Sequence, residues 1–132
     1  MELNAVSCII DKKILNAADT TQTVPLFDFV GTEYIIDIHV RVKTAFAGVT
    51  RPEVKVGYPD DLDRFFKLQP INRTGDLISG PHYESDNICK KQSPDHTKTE
   101  TQKQVIATFS SNSGNFSSLT AGSIEFVVIY AK

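Results

Sequence analysis

Asp60, Asp61 and Asp63 lie close enough in sequence to share a calcium ion. A calcium loop of the EF-hand type also needs a glycine at its sharp turn and a terminal bidentate glutamate. This stretch has neither. Acidic residues at the positive end of a short helical turn are the simpler account of the three aspartates. His82, Cys89 and His96 could be drawn as a second metal set, seven residues apart. Zinc ligands normally come in pairs two to five apart, so these three read as scattered loop residues. Nucleophilic catalysis would need a serine or cysteine brought to a histidine and a carboxylate. Cys89 precedes Lys90-Lys91, which would lower its pKa if it is exposed. A surface thiol beside two lysines is the plainer reading, and no G-x-S-x-G elbow is present. His39 stands between Asp37 and Arg41 and reads as a solvated or subunit-facing residue. Tyr34, Tyr58 and Tyr83 could offer rings to a sugar, but core or rim packing accounts for them as well. No glycine-rich phosphate loop follows a strand. The expectation is therefore a non-enzymatic chain with no catalytic, metal or cofactor-binding residue.

The elements that must position these side chains are strands. In Tyr34-Ile-Ile-Asp-Ile-His-Val-Arg-Val-Lys43, Tyr34, Ile36, Ile38, Val40 and Val42 alternate with polar residues. A period of two over that length predicts a half-buried β-strand. Val54 and Val56 repeat the pattern before Gly57, and Val105, Ala107 and Phe109 repeat it again. Ser123 to Ala131 carries apolar residues on both faces, which predicts a central strand. Val24 to Val30 is apolar around Pro25, and a proline confines a strand to an edge or a start. Ala5 to Ile10 reads as an internal first strand, with an arm lying on a neighbouring subunit as the rival. Pro59 to Phe66, with Leu62, Phe65 and Phe66 at helical spacing, predicts one short helical turn. Residues 67–101 are broken by Pro70, Gly75, Gly80, Pro81 and Pro94, and read as a loop-rich excursion with short strands near Asp76–Ser79 and Tyr83–Ile88.

The 132 residues predict a single domain, long enough for a core without disulfide or metal staples. Sixteen acidic against fourteen basic residues, with no Lys/Arg block, argue against a nucleic-acid partner. The two cysteines make no disulfide framework: Cys8 reads as a small core residue, and the balance favours a reducing compartment. No apolar run approaches a membrane span, and the first ten residues lack the basic leader of a signal peptide. Six to eight short strands separated by turn signals predict an all-β fold, an antiparallel sandwich or barrel.

Val24-Pro-Leu-Phe-Asp-Phe29, the strand from Tyr34 through Thr44-Ala-Phe-Ala-Gly48, Val54-Lys-Val-Gly57, Asp60-Asp-Leu-Asp-Arg-Phe65 and the closing Gly122-Ser-Ile-Glu-Phe-Val-Val-Ile-Tyr130 resemble a small β-rich virion protein of tailed bacteriophages. The resemblance spans Val24 to Phe66 and the last strand, and does not extend to the middle third. It implies an all-β antiparallel β-sandwich, jelly-roll-like, that serves as a capsid decoration or head-stabilising protein in the virion, assembled in the host cytoplasm. Its partners would be the major capsid protein or other virion proteins, and it would form a homo-oligomer such as a trimer. A head fibre base, a neck or tail component and a receptor-binding module belong to the same fold pool. A small jelly-roll enzyme or sugar-binding module is the alternative from another class.

Overall fold

The computed structural model describes residues 3–28, 34–77 and 104–131. Eight strands run in chain order: β1 (Leu3–Asp11), β2 (Thr21–Asp28), β3 (Tyr34–Ala47), β4 (Glu53–Tyr58), β5 (Asp61–Pro70), β6 (Gly75–Asp76), β7 (Gln104–Ser110) and β8 (Ala121–Ala131). They form two four-stranded sheets, ordered β1-β8-β3-β6 and β2-β7-β4-β5, and every pairing is antiparallel. Only the β4–β5 connection stays within one sheet; each other connection carries the chain to the opposite sheet. This is the double Greek-key order of an eight-stranded jelly roll, an all-β sandwich as expected.

The inner rows explain why the sheets face each other. Ile38, Val40 and Val42 of β3 and Ile124, Phe126 and Val128 of β8 are buried. They meet Val54 and Val56 of β4 and Val105, Ala107 and Phe109 of β7 in one continuous core. Phe109 is fully buried at the centre, its ring 6.2 Å from that of Phe126 and 6.3 Å from that of Phe46, both in the opposite sheet. Phe116 closes one end. It belongs to a single 3-10 turn, Phe116–Ser118, and lies edge-on to Phe109 at 6.4 Å. That turn is tied to the β1–β2 connection, where the amides of Phe116 and Ser117 donate to the carbonyls of Asp19 and Ala17. The Gln22 side chain brackets the same connection, donating to Ile14 O at 2.8 Å and accepting from Ala17 N at 3.0 Å. The bracket lets Leu15, between the exposed Ile14 and Asn16, drop fully into the core.

Strand irregularities alter several expectations. A register shift between Ile35 and Asp37 inserts one residue into β3. Before that bulge the faces are exchanged: Ile35 is buried and Ile36 is only half-buried. The register partner of Tyr34 is Ala131.

Pro59 to Phe66 is not helical. Pro59 and Asp60 form a turn, and Asp61 begins β5. Helical spacing arises because β5 carries extra residues against β4: Val56 opposes Phe66, while Tyr58 opposes Asp61. Those bulges bury two consecutive rings, Phe65 and Phe66, which a regular strand would place on opposite faces. Gly57 makes the tight curl possible, because a Cβ there would lie 2.1 Å from the carbonyl oxygen of Asp61. The start of the expected excursion is likewise ordered strand: Lys67–Pro70 completes β5 and Gly75–Asp76 forms β6. The remainder of that excursion, including the expected strand at Tyr83–Ile88, lies outside the described residues.

β1 is a strand of the sheet, paired with β8 over nine consecutive positions from Leu3↔Ala131 to Asp11↔Ser123. β2 is an edge strand, as Pro25 requires, and its register shifts between Pro25 and Phe27. β7 departs from simple alternation: Ile106 and Thr108, on the face away from the core row, are also buried. The Thr108 hydroxyl is buried and has no hydrogen-bond partner among the described residues. A buried polar group left unpaired costs about 1–3 kcal/mol. Thr108→Val keeps the branched shape and removes the hydroxyl. It is expected to stabilise the fold by about 1 kcal/mol, seen as a rise of about 3–5 °C in the thermal midpoint.

Candidate functional site

The polar side chains gather on the outer face of the β1-β8-β3-β6 sheet. Register sets the rows. Ala5, Ile129 and Asp37 lie side by side, then Ser7, Val127 and His39, then Ile9, Glu125, Arg41 and Asp76. His39 Nε2 lies 3.2 Å from Asp37 Oδ2, and the other oxygen of that carboxylate accepts from Ile38 N at 2.8 Å. Arg41 Nε approaches Asp76 Oδ1 at 3.9 Å, and Lys43 Nζ approaches Glu125 Oε1 at 3.9 Å. The His39 and Arg41 side chains are about two-thirds exposed, so these pairs are solvated and individually weak. Between them run the half-buried Val127 and Ile129. Arg41, Lys43, Thr74 and Gly75 border an open depression of about 390 Å³.

This arrangement offers both signs of charge on a flat sheet with apolar side chains between them. It can match another protein surface, and it holds no nucleophile beside a base. The sequence marks Asp37, His39 and Arg41 as one polar face. Glu125 and Asp76 come from distant strands, so only the register reveals them as neighbours.

The other candidate residues that are described do not assemble into a site. Asp60 sits in the turn before β5, whereas Asp61 and Asp63 are on the strand. Lys67 Nζ donates to Asp63 Oδ2 at 2.8 Å. Among the described residues, no three His, Cys, Asp or Glu side chains come together as a metal site. Tyr58 is buried and packs edge-on against Phe65 at 5.1 Å, so its ring is core. Cys8 is half-buried on the inner row of β1, and burial pushes its thiol pKa up. His82, Tyr83, Cys89, Lys90, Lys91 and His96 lie outside the described residues.

The fold and this face define an eight-stranded jelly-roll domain with a mixed-charge outer sheet. No protein-family model matches the chain, and no curated protein matches it in sequence.

Proposed function

We propose that the chain is a non-enzymatic structural protein of a tailed-bacteriophage virion that decorates or cements the capsid. It does so as a homo-oligomer docked on the major capsid protein. The observation that carries this reading is the strand order, 1-8-3-6 over 2-7-4-5. That double Greek key recurs in viral capsid domains, and also in lectin domains and cupins. A fold hosts many functions, so the surface decides among them. The lectin and cupin readings would draw on an exposed aromatic platform or a cluster of metal-binding side chains. The outer face of the β3 sheet instead carries interleaved acidic, basic and aliphatic side chains. Such a face suits attachment to a preformed lattice, where each copy contributes modest contacts and symmetry multiplies them.

The test mixes the purified chain with capsids that lack it. The expected result is co-sedimentation and a higher rupture temperature, with binding weakened by salt. Arg41→Glu with Lys43→Glu should lower capsid affinity about tenfold, because rim charges steer and orient docking. A chain that never co-sediments with capsids would sink the proposal. Binding to host cells or polysaccharide instead would reassign it to receptor recognition.

A further inference from the structure

An open sheet has two edges, and an unguarded edge recruits further strands. Among the described residues the four edge strands are β1, β6, β2 and β5. Three of them carry features that resist pairing. β2 has Pro25 and a register shift beside it. β5 is interrupted by two register shifts against β4 and carries Asp61, Asp63, Arg64 and Lys67. β6 is two residues long.

β1 has none of these features. It is nine residues long, and its register with β8 runs without a shift. From Leu3 to Ile10 it contains no charge, no proline and no glycine. Its outward row is Leu3, Ala5, Ser7 and Ile9, all exposed. Leu3 at 64% and Ile9 at 48% are the two most exposed large apolar side chains among the described residues.

We infer that the free edge of β1 is a joint between two copies of this chain, pairing antiparallel about a twofold axis at Val6. Opposed residues in an antiparallel pair share a face, so a twofold normal to the sheet must pass through a residue position. The Val6 axis sets Leu3 of each copy opposite Ile9 of the other, and Ala5 opposite Ser7. Both exposed apolar side chains of both copies are thereby covered. An axis at Ser7 would instead set Leu3 opposite Asp11, and an axis at Cys8 would set Ala5 opposite Asp11. A second copy is the occupant because β1 paired with itself uses the unguarded edge of each molecule once and then closes. Pairing β1 with any other edge of a second copy meets Pro25, the β5 bulges or the two-residue β6. The result is one continuous sheet across two sandwiches, and it does not depend on the virion reading.

The isolated chain tests it. Sedimentation of the wild type should give twice the 14.6 kDa chain mass. Leu3→Lys with Ile9→Lys places like charges opposite one another at the joint and should give single chains. Leu3→Lys with Ile9→Glu places opposite charges there and should restore the doubled mass at low salt. Both variants change exposed side chains, and circular dichroism checks that each stays folded. In the wild type, amide exchange across β1 should also slow as concentration rises, which reports on the joint without any substitution. A wild-type chain that stays single at high concentration would overturn the joint. So would a trimer, or an oligomer that the paired lysines leave intact. Equal dissociation of the two variants would overturn the Val6-centred register. None of these outcomes touches capsid binding, which is measured separately.

Discussion

Replacing Phe109 with alanine is expected to remove about 4 kcal/mol of stability. Phe109 lies on the inner row of β7, the strand between β2 and β4, and none of it is exposed. Its ring meets Phe46 and Phe126 across the sandwich and Phe116 in the 3-10 turn. The substitution therefore loosens both sheets and the turn that closes one end. Two terms add: the lost transfer of a large ring from water, and the cavity that strand-anchored neighbours cannot collapse to fill. Edge-on ring contacts are each worth about 0.5–1.5 kcal/mol beyond buried area. A domain of this size is stable by about 5–15 kcal/mol, so the loss consumes a large share. Urea unfolding should show a lower midpoint with an unchanged slope. A loss below about 1 kcal/mol would contradict the central position of the ring.

Gly122→Ala is expected to cost about 3 kcal/mol, by a different route. Gly122 opens β8 with φ of +149°, a region that residues with a Cβ rarely enter. A Cβ at that position would lie 2.2 Å from Cδ2 of Phe46. Phe46 is itself buried and packs against Phe109, so its ring has little room to retreat. Backbone strain and overpacking thus act together. They can be separated by a double-mutant cycle with Phe46→Leu, which removes the clashing ring atoms and leaves the dihedral. Gly122→Ala should cost less in the Phe46→Leu background than in the wild type. Equal costs in the two backgrounds would show that the ring contact contributes nothing.

The parts of this fold that were legible in the sequence are those governed by side-chain alternation. β3 from Ile38 to Lys43, β4 and β8 follow from period-two runs, and Pro25 places β2 at an edge. What escaped is what a bulge does to that period. One inserted residue at Ile36 exchanges the faces before it. The extra residues in β5 made Leu62, Phe65 and Phe66 resemble a helical turn. Both effects depend on a neighbouring strand, so no local window contains them. Leu15 was equally hidden, because its burial depends on the Gln22 bracket eight residues beyond Ile14. The outer-face cluster was half legible. Asp37, His39 and Arg41 alternate in plain sight, whereas Glu125 and Asp76 join them only through pairings of β3 with β8 and β6.

The nine-position pairing of β1 with β8 also governs the order in which the molecule can assemble. During synthesis, β1 leaves the ribosome well before β8, its only partner strand among the described residues, with six strands between them. The loop that joins them must close before either strand gains its ladder, which is the condition that makes β-rich topologies fold slowly. From Leu3 to Ile10, β1 also has neither charge nor proline to deter stray pairing. A nascent chain therefore carries its most adhesive segment unprotected until β8 has been made, and yield on expression should depend strongly on temperature and chaperone supply.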